Sequence, residues 1–224
     1  MITETSKYIQ ESQKCQRNWN LSKNIPNKDL DLIMEAVTNC PTRQNINFYN
    51  VQAITNRDLI EKIHEHTAYF KIDPDVDVSE YSKLISQKSD IKKSDKDWVL
   101  KTNPQVLGHL LLAFSANEET YYRDAIDDKW NKDVWLSIGM AAGYVQLIST
   151  QLGYASGCCG CYNDQINLLL NKKIRLLVGI GIPDENRHYT EHHYEPDFRF
   201  PSFKSVKKLL PVKVDWYDEN NQST

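Results

Sequence analysis

The most informative segment of this chain reads Cys40-Pro41-Thr42-Arg43-Gln44-Asn45-Ile46-Asn47-Phe48-Tyr49. Apolar residues at helical spacing before it, with Asn27 as the cap, predict a helix, and the alternation that starts at Tyr49 predicts a half-buried strand. The joint between them carries Thr, Arg, Gln and two Asn within six positions. So many hydrogen-bonding groups between rigid elements indicate a binding loop, although a polar turn has the same composition.

A second polar segment, Gln13-Lys14-Cys15-Gln16-Arg17-Asn18-Trp19, lies upstream and is followed by Ile25-Pro26. Its two cations suit an anion, because lysine acts as a point charge and arginine as a planar fork for phosphate or a carbonyl edge. A solvated surface turn would carry the same residues. The segment is therefore a candidate anion clamp with a structural alternative.

The segment Gly153-Tyr154-Ala155-Ser156-Gly157-Cys158-Cys159-Gly160-Cys161-Tyr162-Asn163 is rich in small residues and cysteine. Cys158 and Cys161 form a C-x-x-C motif, but a zinc or iron–sulfur site would need a fourth ligand, and the sequence has no second pair. We interpret these cysteines as buried or reduced structural thiols. A Cys-based metal or redox site is the alternative.

Two further motifs stand near the end of the sequence. Gly179-Ile180-Gly181-Ile182-Pro183 ends an apolar run that predicts a central strand, and it lacks the third glycine of a dinucleotide fingerprint. Phe198-Arg199-Phe200-Pro201 adds a late cation. The histidines between them lie among glutamates, which favours a polar loop over a metal site. His64 and His66 do not share a helix face and are expected on the surface.

In their order and spacing, these motifs resemble the FMN-dependent nitroreductase family. That family opens with R-R-S-x-R-x-F and I-P, continues with a helix that ends in P-S-x-x-N-x-Q-P-W, and closes with G-L-G-x-x-x-I-G-G-F, a G-x-P turn and R-x-P. The resemblance covers most of the chain but not residues 67–130. In the family this sector varies most and often covers the active site.

The resemblance assigns FMN contacts to residues of this chain. Arg17 takes the position of the cation beside flavin N1 and the C2 carbonyl, where it would favour the negative charge of reduced flavin. Arg199 takes the position of the arginine that reaches the flavin phosphate, with help from Lys14. The other cofactor-binding positions are Cys15, Pro41, Thr42, Asn45, Asn47, Gly160 and Cys161. No metal ligand is assigned.

Two positions depart from the family pattern. Gln13 stands where the family carries a phosphate-binding arginine, and Cys15 replaces a hydroxyl, although a thiol is a weak hydrogen-bond donor. These changes predict weaker FMN binding, or a larger share of phosphate binding for Arg199.

The predicted fold class is α+β, one domain over residues 1–224 with a central mixed β-sheet flanked by helices. The strongest helix is predicted from an Asp133 cap to Gly153, with small residues at 139–143 that allow another backbone to approach. The resemblance implies a domain-swapped-type homodimer with FMN in each of two interface clefts. Residues 41–45 of one subunit would then face Lys14 and Arg17 of the other.

Composition limits the other classes of function. The 224 residues carry a net charge of −3 with acids and bases mixed, so the chain has no electrostatic footprint for nucleic acid. No apolar run reaches the length of a membrane span, and the N-terminus does not resemble a signal peptide. Five cysteines do not form a disulfide framework. We therefore expect a cytoplasmic protein.

The expected reaction is FMN-dependent oxidoreduction. NAD(P)H would reduce FMN and leave, and a small-molecule acceptor such as a nitroaromatic or a quinone would then take the electrons in the same cleft. Two alternatives share the fold: a branch with reductive dehalogenation or flavin-consuming chemistry, and a flavin-binding module with little turnover.

Overall fold

A computed structural model describes residues 3–67, 69–70, 100–120 and 127–196. The described α-helices are α1 (Glu4–Glu11), α2 (Asn27–Thr38), α3 (Arg57–Glu65), α4 (Asp127–Gln151) and α5 (Gln165–Leu170). The described strands are β1 (Tyr49–Ile54), β2 (Tyr69–Phe70), β3 (Leu100–Lys101), β4 (Leu110–Ala116), β5 (Ala155–Cys159) and β6 (Ile174–Gly181). Short 3-10 turns lie at Arg43–Asn45, Pro104–Val106 and Glu118–Thr120.

The main sheet has four strands in the order β1-β4-β6-β5, and β2 and β3 form a separate pair. Every strand pair in the main sheet is antiparallel. The prediction of a mixed sheet is therefore wrong for the named strands of the described residues. A parallel bridge does join Cys15 to Ser156, but Cys15 lies outside the named strands. Alternation of helices and strands in a sequence predicts the elements but does not fix the direction of neighbouring strands. The predicted central strand is confirmed, since β6 lies inside the sheet and is largely buried.

Helices cover both faces of the sheet, which explains why β4 is apolar on both sides. On one face, α2 and α4 enclose a core that includes Ile33, Val134 and Phe114. On the other face, α3, α5 and the 104–106 turn pack around Leu111 and Leu177. Within the described residues, no helix is long and apolar enough to cross a membrane.

The start of α4 differs from the prediction and its end agrees with it. Asp133 is not the N-cap, because the helix already begins at Asp127. The side chain of Asp133 is buried and paired with Arg43, so its carboxylate forms a tertiary ion pair and does not cap the helix. At the other end, Gly153 has φ +88°. Its N–H donates to the carbonyl of Thr150, and the Tyr154 N–H donates to that of Ser149, which is the Schellman pattern expected of a C′ glycine.

Other helix caps show how far local sequence fixes an end. Thr3 and Asn56 cap α1 and α3 through their side chains. Asn27 was predicted as a cap, but it is the first residue of α2, and Pro26 stands at the cap position without a side-chain hydrogen bond. The predicted Arg199 site lies outside the described residues, as does more than half of the 67–130 sector.

Candidate functional site

The Lys14–Arg17 segment lies along the outer edge of β5. Cys15 forms a parallel bridge with Ser156, and the Gln16 N–H donates to the Ser156 carbonyl at 2.9 Å. Gly157 makes this approach possible, because a Cβ there would lie 2.7 Å from the Gln16 carbonyl oxygen. Two motifs that are 140 residues apart in sequence are thus held together by the backbone.

Arg17 is half-buried, and a carbonyl and an amide accept hydrogen bonds from its guanidinium. Its Nη1 donates to the Cys15 carbonyl at 2.8 Å. The buried Gln105 amide, oriented so that both of its atoms are satisfied, accepts from Arg17 Nη2 at 3.2 Å and donates to the Cys158 carbonyl at 2.6 Å. The guanidinium is therefore fixed against β5 as a preorganised cation. Sequence reasoning missed Gln105, because nothing local marks a contact across 88 residues.

Gly160 and Cys161 follow β5 directly and are both exposed. A Cβ added at Gly160 would meet no atom of the described residues within 4 Å, so the space beside this backbone is open among them. A planar group can approach such a backbone closely. In the chain, these two predicted residues come two and three positions after Cys158, whose carbonyl is linked to Arg17 through Gln105.

Lys14 points to a different part of this edge. Its Nζ lies 2.6 Å from Glu11 and 5.9 Å from the centre of the Tyr189 ring. Together with Gln16 it lines a cavity of about 400 Å³, whose described lining does not include Cys15 or Arg17. Neighbouring residues of an extended segment alternate in direction, which separates Lys14 from Cys15 and Arg17.

The Pro41–Asn47 loop holds an unusual backbone. Gln44 and Asn45 have φ of 54° and 57°, a left-handed conformation that residues other than glycine seldom adopt. The Asn45 N–H donates to the Thr42 carbonyl at 3.1 Å, and the Asn47 carbonyl accepts from Asn117 Nδ2 at 2.9 Å. The side chains of Asn45 and Asn47 are exposed, as a binding role requires.

An ion pair ties this loop to α4. Arg43 Nη1 lies 2.5 Å from Asp133 Oδ2, and the Asp133 side chain is 9% exposed. Sequence reasoning missed this contact and read Asp133 as a helix cap. The only local signal is a lone carboxylate at the start of the apolar face of α4.

One chain does not bring the two halves of the predicted site together. The 41–47 loop precedes β1 at one edge of the sheet, whereas the 14–17 segment borders β5 at the other. Three strand spacings, roughly 14 Å in total, separate these edges. Both halves lie toward the same end of the sheet, because β5 runs toward the end at which β1 begins.

The cysteine cluster lacks the geometry of a metal site. No group of three or more His, Cys, Asp or Glu side chains in the described parts of the chain could hold a metal ion. Cys158 is half-buried, Cys159 is buried and Cys161 is exposed. Burial raises the pKa of both Cys158 and Cys159 to about 12, so neither is a thiolate at neutral pH.

Comparison with known proteins gives a consistent result. The family model described as the nitroreductase family matches residues 12–183. No curated protein matches the chain. Among solved structures, a nitroreductase with bound FMN from Bacteroides fragilis NCTC 9343 is 18% identical, covers 84% of this chain and 93% of its own, and has a TM-score of 0.55.

Two further structures are similar. A nitroreductase family protein from Clostridium novyi NT is 16% identical, with 87% of this chain and 94% of its own covered and a TM-score of 0.55. An FMN-dependent nitroreductase from Clostridium difficile R20291 is 15% identical, with 80% and 90% covered and a TM-score of 0.51. At these identities the structural likeness shows the fold alone.

Proposed function

The chain belongs to the nitroreductase family, and on this premise we propose that it is an FMN-dependent oxidoreductase. In the proposed reaction, NAD(P)H reduces bound FMN, and a small acceptor such as a nitroaromatic or a quinone reoxidises it. When bound, FMN supplies the two-electron chemistry, and the protein supplies binding, orientation and electrostatics.

The observation that carries this proposal is the fixed Arg17 cation on the edge of β5, a strand that leads directly into the open backbone at Gly160. Arg17 is fixed by the Cys15 carbonyl and Gln105, and no atom of the described residues lies within 4 Å of the position that a Cβ would take at Gly160. A preorganised cation beside an open, small-residue backbone fits the anionic edge of a planar cofactor. Both elements lie inside the matched residues 12–183.

The other predicted contacts complete the donor set. We propose that Arg199 and Lys14 bind the phosphate, and that Pro41, Thr42, Asn45 and Asn47 approach the ring from a second subunit. Lys14 would have to leave Glu11, but an exposed ion pair of this kind contributes only about 0–1 kcal/mol, so the exchange costs little.

A homodimer is part of the proposal, because the two half-sites lie at opposite edges of one sheet. A face of α4 supports it. This face exposes large apolar side chains, and the two glycines between them have open space where a Cβ would stand. Its residues are Trp135, Leu136, Gly139, Met140, Gly143, Tyr144 and Leu147. A second copy that covers this face would bury its apolar side chains, and obligate interfaces are rich in such contacts.

We also propose a cytoplasmic location, where NAD(P)H is available. The five cysteines are all free thiols in the structure. Thiols persist in a reducing compartment, whereas secreted proteins usually form disulfides.

The test is a visible spectrum of the purified protein, followed by NADPH or NADH addition without oxygen. A flavin spectrum that bleaches rapidly on addition of the nucleotide is expected, as is recovery when a quinone or nitroaromatic is supplied. A stable flavin spectrum after nucleotide addition would indicate a binding module or another branch of the fold. A colourless protein that contains zinc would contradict the proposal and favour a Cys-based site.

A further inference from the structure

We propose that the Arg43–Asp133 ion pair is a positioning device, which holds the 42–45 turn in the shape that presents Asn45 to the flavin. This inference rests on the proposed function for its ligand. Its structural part, that Asp133 holds the turn, depends on the described contacts alone.

The turn needs support from outside itself. Gln44 and Asn45 are two successive left-handed residues, and neither is glycine. Such conformations persist where the surrounding structure holds them, and they cluster at functional sites. Two backbone hydrogen bonds at 3.1 Å, from Asn45 to Thr42 and from Ile46 to Arg43, close the turn. Both bonds are internal to the loop and do not fix it relative to the rest of the protein.

The two ends of the loop are fixed by the core. Upstream, the loop leaves α2, whose Val37 is buried. Downstream, Phe48 and Tyr49 are buried, and the Tyr49 hydroxyl donates to the Val37 carbonyl at 2.5 Å. The middle of the loop is exposed at Gln44 and Asn45, so it requires a third anchor.

Asp133 provides that anchor. It lies on α4 beside Val134, which is fully buried, so its backbone belongs to a helix that is packed into the core. A buried carboxylate is costly without a partner, and Arg43, the residue just before the left-handed pair, supplies one. The ion pair therefore fixes the loop at the residue where its unusual backbone begins.

Asn45 is the group that this arrangement presents. Its side chain is exposed, and its amide makes no hydrogen bond to any residue in the described ranges. A ligand-binding amide must be held within about 0.5 Å of its working position. Support for Asn45 comes from its own backbone, and that backbone is fixed through Arg43.

The first test measures how readily the turn opens, and it needs no flavin. Trypsin cuts after Arg43 only if the turn can open, and peptide mapping measures cutting at this bond relative to Arg175, inside β6. Asp133→Asn should increase cutting at Arg43 selectively, and Glu61→Gln, in the ion pair with Arg57, should not. Equal rates at Arg43 in wild type and Asp133→Asn, or a rise matched at Arg175, would overturn the proposal.

The second test measures the affinity of the protein for FMN and riboflavin. Arg43→Gln and Asp133→Asn should each weaken FMN binding by about tenfold, the scale of one lost hydrogen bond. Arg43→Lys, which keeps the charge, should recover most of the affinity. Riboflavin should lose as much as FMN, because the turn approaches the ring rather than the phosphate.

A double-mutant cycle separates positioning from general stability. If the ion pair acts through Asn45, Asp133→Asn should have little further effect on FMN affinity in an Asn45→Ala background. Full additivity would overturn the positioning role. Failure of the wild type to bind FMN would refute the proposed function and the flavin part of this inference, while proteolysis at Arg43 still decides whether Asp133 holds the turn.

Discussion

Cys158 and Cys159 are adjacent in sequence but contact opposite sides of the sheet. The Cys158 sulfur accepts from Gln146 Nε2 of α4 at 3.1 Å, and the Cys159 sulfur accepts from Asn103 Nδ2 at 3.4 Å. Side chains along a strand alternate between faces, so this separation follows from β5 itself. The two sulfurs therefore pack into the cores on opposite faces of the sheet and do not form one reactive centre.

We predict that neither thiol takes part in the reaction. Burial raises both pKa values to about 12, and the thiolate is the reactive form. Cys158→Ala and Cys159→Ala should keep the rate of flavin reduction within a few-fold of wild type in stopped-flow measurements without oxygen. A loss of about a hundredfold, roughly 2.7 kcal/mol of barrier, would indicate thiol chemistry.

The sequence predicted the elements that depend on local patterns. Gly153 marked the end of α4 because a left-handed residue completes that cap, and the nearly continuous apolar run before Gly181 marked an interior strand. The sequence did not predict that Cys15 and Arg17 lie beside β5, next to Ser156 and Gln105, because no local pattern marks pairing between segments so far apart in the chain.

Contacts between distant residues were not predictable in the same way. The local sequence predicts a cap at Asp133, because its partner Arg43 is 90 residues away and leaves no local signal. His64 was expected on the surface, but it is buried, because the 187–196 loop folds over α3. Such pairings depend on the tertiary fold, which a single sequence does not specify locally.

The burial of His64 predicts how the free energy of unfolding changes at acidic pH. The His64 ring lies 6.3 Å from that of His192 and 5.9 Å from that of Tyr194. Burial, then the charges of His192, His193 and Arg57, lower the pKa of His64 to about 4. The fold therefore favours the neutral imidazole, whereas the unfolded chain binds a proton near pH 6.5. This contribution to the free energy of unfolding is complete above pH 6.5 and is lost as the pH falls toward 4.

Urea denaturation of wild type and His64→Phe at pH 7.5 and pH 5 measures this contribution. The free energy of unfolding should fall less in the variant between these pH values, by up to roughly 2 kcal/mol. His66→Phe, at the end of the same helix, is the control and should behave as wild type. Equal pH dependence in all three proteins would contradict the role of His64.

The exposed face of α4 predicts the assembly state. Leu136, at 55% exposure, would be covered in a dimer, so Leu136→Glu should dissociate it, because burying a charge at an apolar interface is costly. Sedimentation should give a mass of about twice 26.0 kDa for the wild type and a smaller one for the variant. Leu168→Glu, at a 73% exposed site on α5, should leave the mass unchanged. A flavin-loaded wild-type monomer at micromolar concentration would exclude the dimer.

Arg17 is the residue whose geometry most directly suggests a role in the reaction. Its guanidinium is held by the Cys15 carbonyl and Gln105, so it needs no rearrangement when negative charge develops nearby. Two-electron reduction places such charge around flavin N1 and the C2 carbonyl. A fixed cation at that edge would bind reduced FMN more tightly than oxidised FMN.

We therefore predict that Arg17→Ala lowers the midpoint potential of bound FMN. A differential of about 1.4 kcal/mol corresponds to about 30 mV for a two-electron couple, so the expected drop is roughly 30–60 mV, with slower reduction by NAD(P)H. Arg17→Lys keeps the charge but loses the planar guanidinium. The midpoint potential of FMN bound to this variant should lie between those of wild type and Arg17→Ala. Potentials are measured by dye equilibration on flavin-loaded samples with wild-type circular dichroism. If Arg17→Ala binds FMN and keeps the wild-type potential, Arg17 only anchors the segment to β5. Removing a cation from the N1 and C2 carbonyl edge of the flavin would have to change the relative affinity for reduced and oxidised FMN.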